Sequence, residues 1–185
     1  VFLKAEKIIK NYQNIVIQGD TATVAAISLA AYHLRKKIFY IEAGLRSFDW
    51  ENPFPEEGYR QMVSRIATVN LCPTELAAKH LKEEKVLGKV HVVGNTILDT
   101  LTSYKDETSY GDRVLITLHR TENLKFLPDW FKVISNVAAS YPSLEFVYPV
   151  HPNPVIAKEA EKLKNVTLCE PLEHHDFLKI LKDCR

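Results

Sequence analysis

The sequence predicts an α/β fold of two Rossmann-like parallel-sheet units, and three observations carry that prediction. Seven short runs rich in β-branched and aromatic residues alternate with longer stretches of helical periodicity. The runs are apolar throughout instead of alternating, as in strands buried in parallel sheets. A polar stretch at residues 103–112, Ser-Tyr-Lys-Asp-Glu-Thr-Ser-Tyr-Gly-Asp, interrupts the alternation and marks a domain boundary.

Taken in order, strands are expected at residues 14–18, 37–41, 68–72 and 89–93, then at 113–118, 145–150 and 165–168. Helices are expected between them at 21–35, 56–66 and 74–84, then at 127–140, 154–164 and 174–182. Strand, helix, strand in this repetition implies right-handed crossovers. Residues 1–104 and 112–185 are therefore read as the two units. The chain starts at Val1 instead of Met, and both ends fall inside regular patterns, so it is expected to be a fragment in which both units are incomplete.

Composition narrows the classes of function. A chain of 185 residues with 46% hydrophobic content can bury a real core. Lys and Arg number 24 against 23 Asp and Glu, so no broad basic face for nucleic acid or an anionic membrane is expected. Cys72, Cys169 and Cys184 have no CxxC spacing and read as reduced thiols of a cytoplasmic protein. No apolar run approaches the roughly 18 residues of a membrane span, and the N-terminus has no signal-peptide layout.

Ligands of open parallel sheets bind beyond the carboxyl ends of the strands, so the residues following each strand are the candidates. In the first unit these are Gly19-Asp20-Thr21, Glu42-Ala43-Gly44-Leu45-Arg46, Pro73-Thr74-Glu75 and Gly94-Asn95-Thr96. In the second they are His119-Arg120-Thr121-Glu122-Asn123, His151-Pro152-Asn153-Pro154 and Glu170-Pro171. Carboxylates gather in one half and His with Arg in the other, a division that suits proton transfer on a phosphorylated substrate.

Each candidate also has a plainer reading. Asp20 or Thr21 can cap the helix that follows. Glu42 has no evident capping role. Pro55-Glu56-Glu57 is an ordinary helix start in which one glutamate is structural. The aromatic segment 48–55 is either a mobile lid or a packed loop. His119 and Arg120 can be a core histidine and a surface arginine, and His151 can belong to a rigid turn into a helix. His174-His175 lacks metal-ligand spacing to a third residue and reads as surface. No GxGxxG, GxxxxGK[ST], GxSxG or HExxH pattern occurs, so neither metal nor cofactor is expected.

Seven ordered blocks resemble one family: Gln18-Gly19-Asp20-Thr21, Ile41-Glu42-Ala43-Gly44-Leu45-Arg46-Ser47, Phe54-Pro55-Glu56-Glu57, Pro73-Thr74-Glu75, Val93-Gly94-Asn95-Thr96, Leu118-His119-Arg120 with Glu122-Asn123, and Tyr148-Pro149-Val150-His151-Pro152-Asn153-Pro154. They look like the blocks of UDP-N-acetylglucosamine 2-epimerases. The resemblance implies a GT-B architecture, a UDP-sugar substrate and a homodimer. It implies that Asp20, Glu42 and Glu56 are catalytic carboxylates. It places the catalytic His119 on the UDP-binding side, with Arg60, Arg120 and His151 as substrate-binding residues. The implied chemistry is elimination of UDP through a 2-acetamidoglucal intermediate, followed by re-addition.

Related readings are a hydrolysing epimerase, a diacetamido-sugar epimerase, a metal-independent glycosyltransferase and a non-catalytic nucleotide-sugar-binding fragment. The chain departs from the family pattern at Gly58-Tyr59-Arg60, where Asn usually precedes Arg, and at Thr121 and Leu124, where Arg and Phe are usual. The family's N-terminal Gly-Thr-Arg-Pro-Glu block and its later Ser-Gly-Gly block do not occur in this chain.

Overall fold

The computed structural model describes residues 2–102, 110–119 and 121–185. The chain divides into two compact units, Val1–Tyr104 and Lys105–Arg185. Most of the polar stretch 103–112 lies outside the described residues, as does Arg120.

In the first unit a four-stranded parallel sheet runs β1 (Asn14–Gln18), β2 (Lys37–Ile41), β3 (Val69–Cys72) and β4 (Lys89–Val92), in that spatial order. The helices are α1 (Phe2–Ile9), α2 (Ala22–His33), α3 (Glu56–Ile66), α4 (Glu75–Glu83) and α5 (Thr96–Thr102). The start of α2 is set by Thr21, whose hydroxyl accepts the Val24 N–H at 3.3 Å, and that of α4 by Thr74, which accepts the Ala77 N–H at 3.1 Å. The buried residues of α2 are small, Ala25, Ser28, Ala30 and Ala31, and Ser28 satisfies its hydroxyl on the Val24 carbonyl at 2.7 Å. Ile38, Tyr40, Val63, Cys72 and Leu81 fill the centre of the core. Each fully buried side chain of the Ile, Leu or Val type contributes ~1.5–3 kcal/mol, so the middle of this sheet dominates its stability.

In the second unit, β5 (Arg113–Leu115), β6 (Glu145–Pro149) and β7 (Thr167–Cys169) form a three-stranded parallel sheet with β6 in the middle. A 3-10 turn at Thr121–Phe126 leads into α6 (Leu127–Ser140), followed by α7 (Pro154–Ala160) and α8 (His174–Lys182). Leu127, Phe131, Tyr148, Ile156 and Ala160 make the core, with the Phe131 and Tyr148 rings edge-on at 5.6 Å.

The structure corrects three expectations. The strand read as 113–118 pairs regularly only to Leu115, after which the Ile116 N–H still reaches the Val147 carbonyl at 2.8 Å. The helix read as 154–164 ends at Ala160, where the chain turns with Lys162 and Leu163 bonding back to Glu159 and Ala160. The strands are also not uniformly buried. β2, β3 and β6 carry the buried strand residues, whereas β4, β5 and β7 have none and β1 has only Ile17, and among the described residues each of these four has a single neighbour in its sheet.

Candidate active site

The last rung of the β1–β2 ladder pairs Gln18 with Ile41, so Asp20 and Glu42 leave the same end of the sheet. Glu42 sits in the left-handed region at φ 63°, an uncommon backbone state for a residue with a side chain. Gly44 follows at φ 86°, and a Cβ there would collide with the Ala77 carbonyl, so the turn can close against α4 only with glycine. Gln18 receives the redirected carboxylate: its Nε2 donates to Glu42 Oε1 at 2.8 Å and lies 3.4 Å from Thr96 Oγ1.

From α3 come the neighbouring groups. Pro55 occupies its N-cap without a side-chain cap bond, and Glu56 and Glu57 stand in the first turn, where the helix dipole favours negative charge. Arg60 donates from Nε to Asp20 Oδ2 at 2.7 Å, with Nη2 at 2.6 Å from the same oxygen. Because Thr21 takes the capping position of α2, Asp20 is left to pair with Arg60. Glu56 is half-buried, and among the described residues its carboxylate has no hydrogen-bond or ion-pair partner. The structural glutamate of the pair is Glu57, which is fully buried.

Two groups to which the sequence assigns no role of their own complete the electrostatics. Burial, and then the negative field of Asp20, push the Tyr40 hydroxyl up to about 12; Arg46 and Arg60 oppose this and Glu42 adds to it. Arg46, which the sequence places in the loop after β2, turns its fully buried guanidinium onto Glu84, Nε to Oε1 at 2.6 Å and Nη2 to Oε2 at 2.9 Å. Its remaining donors reach Ser64 Oγ at 3.0 Å and the Leu45 carbonyl at 2.8 Å. Arg46 thus ties this loop to the end of α4. No local signal could reveal a partner so distant in the chain.

The aromatic segment 48–55 is tethered at its start by single contacts, yet its rings stay largely exposed, Phe48 and Trp50 at 62% and Phe54 at 73%. The Phe48 ring meets His80 edge-on at 5.0 Å, and His80 Nδ1 lies 3.1 Å from the Gly44 carbonyl. Asn52, and next the Glu51 N–H, donate to Asp49 and lower its pKa. The Trp50 ring edge lies over Gly58. Tyr59, at the first departure from the family pattern, packs against the core.

The second unit presents histidines. His119 and His151 stack with ring centroids 5.5 Å apart and planes 7° from parallel, and both are exposed. His151 Nδ1 accepts the Asn153 N–H at 3.1 Å, which leaves Nε2 to carry the proton of the neutral ring. Asn153 in turn caps α7 by accepting the Val155 N–H at 2.9 Å. The Tyr148 hydroxyl, its pKa raised by burial, fixes the strand end before His119 by donating to the Leu118 carbonyl at 2.8 Å. Beside His151 a cleft of about 570 Å³ opens between Val150, Ala157, Leu168, Cys169 and Glu170. Leu124, at the second departure from the family pattern, packs against this unit's core, so the position keeps an apolar role. Among the described residues, no three His, Cys, Asp or Glu side chains converge as a metal site.

This order of strand-end carboxylates, helix-start glutamates and downstream histidines has a counterpart among known proteins. The family model for UDP-N-acetylglucosamine 2-epimerase matches residues 2–185. The chain belongs to the UDP-N-acetylglucosamine 2-epimerase family. A UDP-N-acetylglucosamine 2-epimerase of Bacillus subtilis is 38% identical over 178 residues, covering 88% of this chain and 47% of the relative. Among solved structures, S. aureus MnaA with UDP superposes at a TM-score of 0.88 with 34% identity, over 95% of this chain and 53% of that one. The UDP-GlcNAc 2-epimerase of Neisseria meningitidis, bound to UDP-GlcNAc, gives 0.87 with 28% identity, over 100% of this chain and 56% of that one. The α/β, GT-B-type fold class expected from the sequence is the class of these epimerases. The chain spans about half the length of the curated relatives it matches.

Proposed function

We propose that the protein is a non-hydrolysing UDP-N-acetylglucosamine 2-epimerase, interconverting UDP-GlcNAc and UDP-ManNAc. The observation that carries this reading is the acid cluster of the first unit. Glu42 and Asp20 leave one sheet end, Arg60 holds Asp20, and Glu56 stands one turn before Arg60 on α3, its carboxylate without a partner among the described residues. In the proposed reaction a base removes the carbon 2 proton while the bond from carbon 1 to the UDP oxygen breaks, giving 2-acetamidoglucal and UDP. UDP then adds back to carbon 1 as a proton reaches the opposite face of carbon 2. Asp20, Glu42 and Glu56 are the proton-transfer groups, and Glu56, whose carboxylate has no ion-pair partner among the described residues, can exchange a proton without breaking one.

Residues 1–104 carry the carboxylates, and residues 112–185 bind UDP. Arg60 acts beside the acids as a substrate-binding residue. His119 is the catalytic group on the UDP side, and Arg120 and His151 bind the substrate there, where donors stabilise the departing diphosphate. The protein is a cytoplasmic homodimer that supplies sugar for polysaccharide synthesis. Proton NMR of UDP-GlcNAc incubated in deuterated water with the product of the complete reading frame tests the chemistry. The carbon 2 signal should be lost and intact UDP-ManNAc should appear. Epimerised product that retains the carbon 2 proton overturns the mechanism, and free N-acetylmannosamine with UDP moves the assignment to the hydrolysing type.

A further inference from the structure

Once the proposed acids are assigned, one fully buried carboxylate is left over. Glu57 has no exposed surface, yet it sits between Glu56 and the helical turn that carries Arg60. Its Oε2 accepts the Ser47 N–H at 3.0 Å, and its Oε1 accepts the Phe48 N–H at 3.3 Å and Gln61 Nε2 at 2.9 Å. Oε2 also lies 3.6 Å from Arg60 Nη1, on the guanidinium that holds Asp20. Burial alone would push this carboxyl up, but the donors from Gln61, Ser47 and Phe48 outweigh it and the pKa is lowered, so Glu57 is charged at neutral pH. A buried carboxylate is retained at a cost unless its oxygens are satisfied, and these oxygens are satisfied by the head of the aromatic loop and the base of the acid cluster.

We infer that Glu57 is a positioning residue that fixes the seat of the 48–55 loop and the pose of Arg60 against Asp20 together. It acts through them and touches no substrate. The inference rests on the reading above that Asp20 and Glu56 act in turnover. A merely structural Glu57 would move stability alone, whereas this role ties loop order to the rate. The amide of Glu57→Gln keeps the shape and replaces one acceptor oxygen by a donor that faces the other donors.

Hydrogen exchange by mass spectrometry and steady-state kinetics on the complete protein test the inference. In Glu57→Gln the segment 45–55 should exchange at least ~tenfold faster, with strand segments 14–18 and 37–41 unchanged. Turnover should fall ~10–100-fold with KM within about threefold, because displacement of a reacting group costs rate before it costs binding. Glu57→Asp, which keeps the charge, should restore part of both. Unchanged exchange at 45–55, or faster exchange there with wild-type kcat, overturns the inference. If Glu57→Gln does not fold, Gln61→Met decides: loss of that donor alone should shift segment exchange and kcat the same way by a few-fold, and wild-type values overturn the inference. An Asp20→Asn protein with full turnover would sink the reading of the site and leave the exchange result standing.

Discussion

Asp20, Glu42, Arg46 and Glu57 in the first unit are each held by named partners at hydrogen-bond distance, whereas His119 and His151 in the second stand exposed, their rings stacked on each other and His151 Nδ1 accepting only the Asn153 N–H among the described residues. The fixed groups have their geometry before any ligand arrives, which is what proton transfer demands, since a displaced acid or base loses its reach. Among the described residues no acceptor takes a proton from either imidazole, which suits capture of a mobile anionic ligand. Glu56 stands apart within the first unit: it begins the helix that carries Glu57 and Arg60, and among the described residues its own carboxylate has no partner.

The contrast can be broken most severely at the acids. Asp20→Asn, Glu42→Gln and Glu56→Gln in the complete protein should each lower turnover ~10²–10⁴-fold with near-native melting, the loss typical of a missing positioned acid or base. A folded Glu42→Gln protein within threefold of wild type would defeat its assignment. Next in size is Arg46→Met, which strands Glu84 without its partner. Removing one member of a buried pair costs about 3–5 kcal/mol, and the low end applies because the Glu84 side chain keeps 17% exposure. Urea unfolding measures that loss, and a change below about 1 kcal/mol would show that the pair does not brace the loop. The smallest effect belongs to the second unit, where Arg120→Ala should weaken UDP binding by ~1.5–3 kcal/mol in calorimetry and leave stability unchanged. An unaltered affinity would make Arg120 an ordinary surface residue.

The sequence reads well where a local rule decides. Runs such as Lys37–Ile41 are strands because β-branched and aromatic residues cluster between turn signals, and α3 begins at Glu56 because Pro precedes two acids there. It reads poorly where the deciding partner is remote. Nothing near Arg46 announces Glu84, and nothing in Glu56-Glu57 shows which of the two turns inward to Ser47 and Phe48. Glu42 could be marked as lacking a cap, but not as left-handed and bonded to Gln18, because that geometry comes from the closure of Gly44 against Ala77. Strand exposure escapes the sequence for a similar reason: apolar composition does not say which strand has neighbours on both sides.

In the first unit each strand pairs with the strand that follows it in the chain, Asn14 beside Lys37, Phe39 beside Val69, and Val69 beside Lys89. Among the described residues none of these four strands waits for a partner from further along the sequence, so the search for each of these pairings spans one crossover only. Such a sheet can grow strand by strand in the order of synthesis, with β1 and β2 already docked while β3 is still in the ribosome. The Asp20 and Glu42 turns would then be built early in the life of the chain, before any of the second unit exists.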